Sequence, residues 1–422
     1  MKPALQTRLA AFLVLKEIFE RKVTVQLAFS KCKLFKQLSE MDAKFVRLLV
    51  LTTLRRYGQA KILLTRYLKK KLSGKKKDIE LVLILAIAQL KFLNTPPHAV
   101  VDTAVELSKE IRQKHFSGLV NAILHAVSKD EGKPLPELVE NLPEWLAKKW
   151  IAVYGKERVN GFVEMFNTDP VLDISSKENL DVWAQKLGGE LLPTGTIRCH
   201  FTENVPALEG FEEGVWWVQE ASAALPALLF TSVEGKQGAD LCSAPGGKTS
   251  QLVIRGATVD AYDISEKRLE KLKENINRLN ISEKVTVICK DALQIEAKEQ
   301  YDFVLLDAPC SATGTIKRHP DLMYLRQEED IHRLAQLQKE LLTHAFSLLK
   351  KGGELVYSTC SLEYEENEGL VQSFLKEHIN IKRIMPKAKC LKPFLNEFGA
   401  VQVLPSKEVL QDGFYAVLLK KE

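Results

Sequence analysis

Apolar residues recur at helical spacing through the first 130 positions of the chain. Leu9, Phe12 and Leu13 begin this pattern near the N-terminus. Further helices are predicted at 41–57, 81–93, 101–111 and 119–127. Asp42 opens one of these segments and paired arginines close it, an order that the helix dipole favours. The pattern predicts a bundle of about six or seven helices.

A different pattern, in which short β-rich runs alternate with helical ones, fills the C-terminal half. The β-rich runs are 239–242, 258–263, 285–289, 303–307 and 354–358. Helical segments at 248–254, 266–279 and 328–349 separate most of them. This alternation predicts a doubly wound α/β fold with a parallel sheet. A last pair of runs, 400–404 and 414–419, could close the sheet as an antiparallel hairpin.

The stretch between these two parts suggests a third, smaller domain. Residues 131–143 are acidic and rich in proline, which is typical of a linker. The stretch 144–212 combines a tryptophan-containing helix with short weak strands. We therefore predict a helical domain at 1–139, a small α+β connecting subdomain at 140–212 and an α/β domain at 213–422.

The net charge changes sign between the two parts of the chain. The 422 residues carry 60 Lys and Arg against 54 Asp and Glu, a formal net charge of +6. Residues 1–130 hold 25 of the basic and 10 of the acidic residues, a balance of +15 that leaves −9 for the rest. The densest basic run, 66–78, reads RYLKKKLSGKKKD. A basic N-terminal domain favours a polyanion as its partner.

Hydropathy and cysteine usage narrow the class of protein. A hydrophobic content of 45% and a charged content of 27% exclude a wholly disordered chain. The longest apolar run, 81–90, is about half of the ~20 residues needed to cross a bilayer. Glu17 and Glu20 interrupt the apolar stretch near the N-terminus, which argues against a signal peptide. The seven cysteines are scattered and form no CxxC pair, so we expect a cytoplasmic protein without disulfides or a metal site.

A glycine-containing loop follows the first β-rich run of the α/β domain. The segment GADLCSAPGGKT places Asp240 at a strand end, a Pro-Gly-Gly turn at 245–247 and Lys248 at a helix start. Glycines let a ligand approach the backbone, and the helix N-terminus offers it free N–H groups. A P-loop needs glycine where the chain has Cys242, and GxGxxG is absent as well. The loop therefore indicates a nucleoside ligand of another kind.

Acidic residues lie at or just beyond the C-terminal ends of four successive predicted strands. They are Asp240, Asp263, Asp291 and Asp307. Parallel strands end at one edge of a sheet, where open α/β sheets bind ligands. Asp263 comes 23 residues after Asp240, a spacing that suits a carboxylate holding ribose hydroxyls. Four carboxylates would repel a polyphosphate but suit the sulfonium cation of S-adenosylmethionine, which we predict as the cofactor.

Two cysteines occupy corresponding positions after the fourth and fifth strands. Cys310 lies in DAPCS and Cys360 in STCS. Either one alone would more often be a small buried hydrophobic residue. Two of them beside the cofactor loop favour nucleophilic chemistry. Neither motif contains a histidine, the nearest being His319, so a Cys–His hydrolase is poorly supported.

Four motifs carry a resemblance to a known family. DLCSAPGGKT, YDISEKRL, DAPCSATG and YSTCS, in this order and spacing, resemble the RNA 5-methylcytosine methyltransferases of the NOL1/NOP2/Sun family, across residues 215–422. The segments FVRLLVLTTLRR and NAILHAV resemble NusB-like RNA-binding domains. The resemblance implies a Rossmann-like class I S-adenosylmethionine-dependent methyltransferase acting at C5 of a cytosine in 16S rRNA, with cytosine 967 as the expected target. The expected partner is 16S rRNA or a small-subunit assembly intermediate, bound by a monomer.

The resemblance also implies roles for individual residues. Cys360 is the implied nucleophile and Cys310 assists product release. Independently of the resemblance, Asp307 is placed beside Cys310 to assist protonation of the base at N3. The implied cofactor-binding residues are Cys242, Ser243, Ala244, Pro245, Gly246, Gly247, Lys248, Asp263, Arg268, Asp291 and Asp307. The chain departs from the family at Ser243, where alanine is frequent. Its last motif, LPSKEVLQDGFY, is extended before Asp412 and receives no catalytic role.

Cytosine chemistry gives an independent reason for two cysteines. C5 of cytosine attacks a methyl sulfonium poorly until a thiolate adds to C6 and makes the ring an enamine. The C5 proton must then leave before the thiolate can be eliminated, which calls for a second group. Other interpretations stay open: methylation of tRNA or of another rRNA site, or a non-catalytic RNA-binding or assembly factor. A DNA cytosine methyltransferase is less well supported, because the nucleophile of those enzymes resembles the Pro-Cys of DAPCS and nothing in them corresponds to Cys360.

Overall fold

The chain folds into two compact units in a computed structural model that describes residues 2–68, 70, 72, 74–130, 134–200 and 204–422. One unit comprises Met1–Thr168 and Ile316–Gln327, and the other comprises Asp169–Thr315 and Glu328–Glu422. Three members of the basic run 66–78, at positions 69, 71 and 73, and the start of the predicted linker, 131–133, lie outside the described residues. The division into three domains stays a prediction.

Helices account for most of the first unit and flank the sheet of the second. They are α1 (Pro3–Arg21), α2 (Val25–Lys31), α3 (Lys33–Lys36), α4 (Glu40–Arg55), α5 (Tyr57–Thr65), α6 (Lys77–Phe92), α7 (Pro97–Glu110), α8 (Ser117–Ser128), α9 (Glu144–Tyr154), α10 (Lys156–Phe166), α11 (Leu180–Lys186), α12 (Ala221–Leu229), α13 (Gly247–Ile254), α14 (Glu266–Arg278), α15 (Leu322–Leu325), α16 (Glu328–Leu348) and α17 (Glu368–Glu377).

In the described part of the chain, the strands belong to the second unit. They are β1 (Leu172–Ser176), β2 (Glu190–Leu191), β3 (Ile197–Cys199), β4 (Trp216–Val218), β5 (Gln237–Leu241), β6 (Thr258–Asp263), β7 (Val285–Cys289), β8 (Tyr301–Asp307), β9 (Leu349–Thr359), β10 (Ile381–Arg383), β11 (Val401–Val403) and β12 (Phe414–Lys421).

The predicted helical bundle is present, with local signals that explain its helix ends. The Ser39 hydroxyl accepts a hydrogen bond from the N–H of Asp42 and caps α4, whose first turn is acidic and whose last turn holds Arg55. The apolar run at 81–90 lies in α6, which is buried almost throughout. Eight α-helices lie between Pro3 and Ser128 in the described part of the chain, rather than six or seven, because the four-residue α3 carries no periodic signal.

A segment that interrupts the α/β part of the sequence folds with the helical unit. Within Ile316–Gln327, the carboxylate of Asp321 accepts a hydrogen bond from the backbone N–H of Val25 at 3.0 Å. The ring of Tyr324 packs against those of Phe19 and Tyr57, with centroids 5.2 and 5.5 Å apart. The sequence pattern gave no sign of this insertion.

The larger sheet of the second unit has the predicted doubly wound form. Its strand order is β10-β12-β9-β8-β5-β6-β7, with β11 paired to β12. The ladders β9–β8, β8–β5, β5–β6 and β6–β7 are parallel, and β12 pairs antiparallel with β9, β10 and β11. The predicted antiparallel closure by the last two runs is confirmed. A separate four-stranded antiparallel sheet, β2-β3-β1-β4, precedes this one along the chain.

Candidate active site

The ends of the parallel strands meet at one edge of the sheet, as the acidic pattern predicted. β6 ends at Asp263 and β8 at Asp307, and Asp291 follows β7 by two residues. Asp240, near the end of β5, is buried and accepts a hydrogen bond from the Thr249 hydroxyl at 2.6 Å. Burial raises the pKa of Asp240 to about 7. Asp240 is therefore an internal acid beneath the site.

The loop from Cys242 to Lys248 makes the tight turn that its glycines predicted. Gly246 has a φ of 100°, and an added Cβ there would come within 3.0 Å of the Leu272 side chain. Helix α13 begins at the next residue, Gly247. The backbone N–H of Ser243 donates to the carbonyl of Tyr262 at 2.9 Å, which fastens the loop to β6.

Asp263 joins this loop to the start of α14. Its side chain is nearly fully buried and accepts hydrogen bonds from the backbone N–H groups of Ala244 at 3.3 Å and Ser265 at 2.9 Å. Arg268 forms an ion pair with the same carboxylate at 3.1 Å, and it also donates to the carbonyl of Ala244. The loop, the acid and the arginine therefore form one connected group.

Asp307 lies between two donors, one at the start of α13 and one near the end of β9. Its Oδ2 accepts from Nζ of Lys248 at 2.7 Å, and its Oδ1 accepts from the Ser358 hydroxyl at 2.9 Å. Burial alone would lower the pKa of Lys248, but its attraction to Asp307 and its hydrogen bond there outweigh burial and raise that pKa. Lys248 also lies 5.4 Å from the centre of the Phe414 ring. The lysine therefore stays charged at the site.

The two cysteines come together. The Sγ atoms of Cys310 and Cys360 are 3.5 Å apart. The hydrogen bond with Cys360, together with burial, holds the pKa of Cys310 well above its usual range. Cys310 is therefore a neutral thiol at physiological pH.

A cavity of about 380 Å³ gathers most of the predicted site residues. Of those residues, Cys242, Asp263, Arg268, Asp291, Asp307, Cys310 and Cys360 line it. The predicted loop members from Ser243 to Lys248 lie outside its lining. The wall also includes Tyr262, Ile264, Leu293, Leu337 and Leu341, which are aromatic or apolar. In the part of the chain that the structure describes, no group of three or more His, Cys, Asp or Glu side chains could hold a metal ion.

The chemistry of this wall fits S-adenosylmethionine. A volume of about 380 Å³ lies within the range of small-molecule sites, roughly 300–1,000 Å³. Asp263 and Asp291 offer carboxylates suited to hydroxyl and amino groups, while Ile264 offers an apolar side chain that is 70% exposed. The summed negative charge favours a cationic ligand.

Sequence reasoning missed a contact between the cysteine loops and the last motif. The backbone N–H of Gly314 donates to the carbonyl of Cys360 at 3.0 Å, and that of Gly413 donates to the carbonyl of Gly314 at 2.9 Å. A Cβ on Gly314 would lie 2.1 Å from the carbonyl oxygen of Gly413. Both motifs contain glycine, DAPCSATG and QDGFY, and this was the one available signal. Glu366 and Asn367, which also support these loops, were missed as well.

Comparisons with known proteins agree with this geometry. The chain matches the family model described as 16S rRNA methyltransferase RsmB/F over residues 227–420 and the NusB family model over residues 5–129. Ribosomal RNA small subunit methyltransferase B from a strain of Escherichia coli is 33% identical over 405 residues, which cover 91% of this chain and 92% of that protein.

Two solved structures extend the comparison. The crystal structure of PH0851 has a TM-score of 0.77 at 24% identity and covers 100% of this chain and 99% of that one, which shows a common fold. A methyltransferase homolog protein from Pyrococcus horikoshii has a TM-score of 0.56 at 27% identity, over 66% of this chain and 95% of that one.

The doubly wound sheet and its acid-lined cavity define a class I methyltransferase, whose methyl donor is S-adenosylmethionine. The similarity to the Escherichia coli protein extends well beyond the sheet, because it also takes in the NusB-like helices. The chain belongs to the RsmB/F family of 16S rRNA methyltransferases. Among the described residues, no helix is long and apolar enough to span a bilayer.

Alkylation should separate the cavity thiol of Cys242 from an exposed one. Burial, with the nearby carboxylates of Asp307 and Asp263, raises the pKa of Cys242 to about 12, so its thiol stays protonated at pH 8. We expect iodoacetamide at pH 8 to label the exposed Cys289 at least roughly tenfold faster than Cys242. Peptide mass spectrometry over time measures both rates, and equal rates would contradict the raised pKa of Cys242.

Proposed function

We propose that this protein methylates C5 of a cytosine in 16S rRNA through a covalent bond between Cys360 and C6 of the base, with cytosine 967 as the expected target. The observation that carries the proposal is the pair of cysteines. Their sulfurs lie 3.5 Å apart on the wall of the cavity that Asp263 and Asp307 also line.

In the proposed first step the thiolate of Cys360 adds to C6. A sulfur–carbon bond forms, the C5–C6 double bond opens, and electron density moves to C5, which then attacks the methyl group. When bound, S-adenosylmethionine would supply that methyl group as an electrophile and leave as S-adenosylhomocysteine. Protonation at N3 eases the addition, and we assign Asp307 to this task. The ammonium group of Lys248, which donates a hydrogen bond to Asp307 at 2.7 Å, supplies the proton that Asp307 passes to N3.

Cys310 is assigned to the release of the product. After methylation C5 carries both a methyl group and a proton, and removal of this proton lets the C6–sulfur bond break. The hydrogen bond with Cys360 is the first cause of the raised pKa of Cys310. Once the sulfur of Cys360 becomes a thioether, it no longer offers that bond in the same form and bears no charge. Cys310 then ionises more easily, at the step that needs a base.

We assign RNA binding to the basic N-terminal residues. The balance of +15 within 1–130 and the match to the NusB family both support this assignment. The proposed partner is 16S rRNA or a small-subunit assembly intermediate, in the cytoplasm, bound by a monomer. Because the target base must enter the cavity, an unstacked loop or bulge is the favoured context.

Replacing Asp263 by alanine should weaken cofactor binding. The proposal has this buried carboxylate accept hydrogen bonds from the ribose, and bonds to a charged acceptor contribute about 1.5–3 kcal/mol. Calorimetry with S-adenosylmethionine should therefore show at least roughly a tenfold higher Kd for Asp263→Ala. Glu270→Ala, which removes an exposed acid from the neighbouring helix α14, is the control and should bind as the wild type does. Unchanged affinity in Asp263→Ala would contradict the proposal that Asp263 binds the ribose.

Neutralising exposed lysines of the N-terminal region should reduce the salt dependence of RNA binding. The slope of log K against log salt concentration falls by about 0.7–0.9 for each phosphate that a lysine no longer neutralises. We expect Lys70→Gln with Lys77→Gln to lower the slope by about 1.4–1.8, measured by fluorescence anisotropy with a 16S rRNA fragment. The control, Lys387→Gln with Lys392→Gln, removes two exposed charges from the C-terminal part. A larger decrease of the slope in the control would overturn the assignment of RNA binding to the N-terminal residues.

The two cysteines should give opposite results on a denaturing gel. Cys310→Ser should still attack and methylate, then stall with RNA attached through Cys360, whereas Cys360→Ser and the double variant should form no adduct. The substrate is a 16S rRNA fragment containing cytosine 967, with S-adenosylmethionine. The controls are the same fragment with uridine at that position, and a tRNA.

Each alternative makes a different prediction on the same gel. A shifted band in Cys360→Ser would exchange the two roles. Active protein from all three variants would show that both thiols are only packed in the structure. An adduct that forms on tRNA but not on the rRNA fragment would move the substrate to tRNA.

A further inference from the structure

Glu366 is a fully buried carboxylate behind the two cysteine loops. It ends the 3-10 turn Tyr364–Glu366, and it is not part of the cavity wall. Its Oε1 accepts hydrogen bonds from the backbone N–H of Ser311 at 2.8 Å and from Nε2 of Gln338 at 2.9 Å. Its Oε2 accepts from the hydroxyls of Ser311 and Ser361.

The two serines held by this carboxylate directly follow the two cysteines. Ser311 is next to Cys310, and Ser361 is next to Cys360. Their hydroxyl oxygens lie 3.0 Å apart, and both hydroxyls bond to the same oxygen of Glu366. The carboxylate therefore links the loop after β8 to the loop after β9, one residue away from each sulfur.

Asn367, the residue after Glu366, holds the Cys360 loop from both sides. The hydroxyl of Thr359 donates to Oδ1 of Asn367 at 2.5 Å, and Nδ2 of Asn367 donates to the carbonyl of Ser361 at 2.8 Å. Thr359 and Ser361 flank Cys360. The loop is thus fixed to the segment that carries Glu366, and movement of that segment would move the sulfur.

We propose that Glu366 is a positioning residue that sets the distance between the sulfurs of Cys310 and Cys360 by tying Ser311 to Ser361. The inference deepens the proposed function, because it assumes that both sulfurs act in succession on one base. Glu366 does not reach the cavity, so it acts through the two serines. A purely structural role would lower stability without changing the separation of the sulfurs.

The chemistry of the four donors distinguishes two substitutions. Glutamine keeps one carbonyl oxygen for the N–H of Ser311, and its amide group can donate to a serine hydroxyl that rotates to accept. Alanine removes every acceptor and leaves buried donors unpaired. Glu366→Gln should therefore restore most of what Glu366→Ala loses.

Disulfide closure measures the separation of the sulfurs without RNA or cofactor. Diamide takes two hydrogen atoms from a pair of thiols, which become a disulfide while its N=N bond is reduced to N–H groups. In the full-length protein we expect rapid closure between Cys310 and Cys360, slowed about fivefold or more by Glu366→Ala and less than about twofold by Glu366→Gln. Mass spectrometry of the cross-linked peptides gives the rates.

Turnover with the 16S rRNA fragment gives a second measurement. Glu366→Ala should lower kcat about tenfold while the Kd of S-adenosylmethionine and the KM for RNA stay within about twofold. RNA-bound protein should accumulate, because Cys310 is displaced from the base held by Cys360. Diamide closure involves no methylation, so it tests the positioning role of Glu366 even if the protein does not methylate the rRNA fragment. Failure of the positioning proposal is therefore distinguishable from failure of the proposed function.

Glu368→Ala is the matched control for loss of a buried carboxylate. Glu368 accepts from Arg383 at 2.6 Å and from the Tyr415 hydroxyl at 2.9 Å, on two strands of the sheet. This variant should lose thermal stability but close its cysteines at the wild-type rate and accumulate no adduct. Wild-type closure or an absence of adduct in Glu366→Ala would overturn the proposal, and so would a wild-type pair that does not close.

If Glu366→Ala no longer binds the cofactor, the variant Ser361→Ala is tested in its place. This variant removes one of the two hydroxyls on Oε2 and leaves the carboxylate in place. We expect slower closure and accumulated adduct, in the same direction as for Glu366→Ala. Closure and RNA release at wild-type rates in Ser361→Ala would overturn the proposal.

Discussion

The parallel pairing of β8 with β5 on one side and β9 on the other determines where the reactive groups lie. Parallel strands end at the same edge of a sheet, so the loops that follow them emerge side by side. Asp307 pairs with Ser358 in this register, which puts Cys310 and Cys360 two or three residues further along adjacent loops. A shift of one residue would turn Asp307 to the opposite face of the sheet. The cysteine pair thus depends first on a backbone ladder, and only then on side chains.

The strands could be predicted because each is a short apolar run next to a turn signal, and β6 and β7 have the predicted bounds. β9 begins at Leu349, five residues before the predicted start, because Leu349 pairs with Tyr301 across the sheet. The intervening lysines and glycines gave no strand signal. The segment Ile316–Gln327 was missed for a related reason: its buried Asp321 and its tyrosine find partners far away in the sequence.

In the site, the residues that follow strands were predictable and the residues that support them were not. Asp263 and Asp307 are the last residues of their strands, and both cysteines lie within three residues of a strand end, so a local pattern revealed them. Glu366 lies in the acidic stretch EYEENE, whose composition is typical of a solvated surface. Its complete burial results from the chain folding back over the end of β9, which no local pattern encodes.

The charge of the cavity connects the binding of the cofactor to the protonation of the Cys242 thiol. Burial is the largest cause of the raised pKa of Cys242, and nearby carboxylates are the next. Those of Asp307 and Asp263 contribute most among them. Lys248 and Arg268 each pair with one of these acids and offset only part of their charge. An anionic sulfur at Cys242 is therefore unfavourable until another cation enters. A sulfonium ligand is such a cation, so the ligand that supplies the methyl group also offsets the charge of the acids around Cys242. The acids that attract the cofactor thus also hold the Cys242 thiol protonated in the free enzyme.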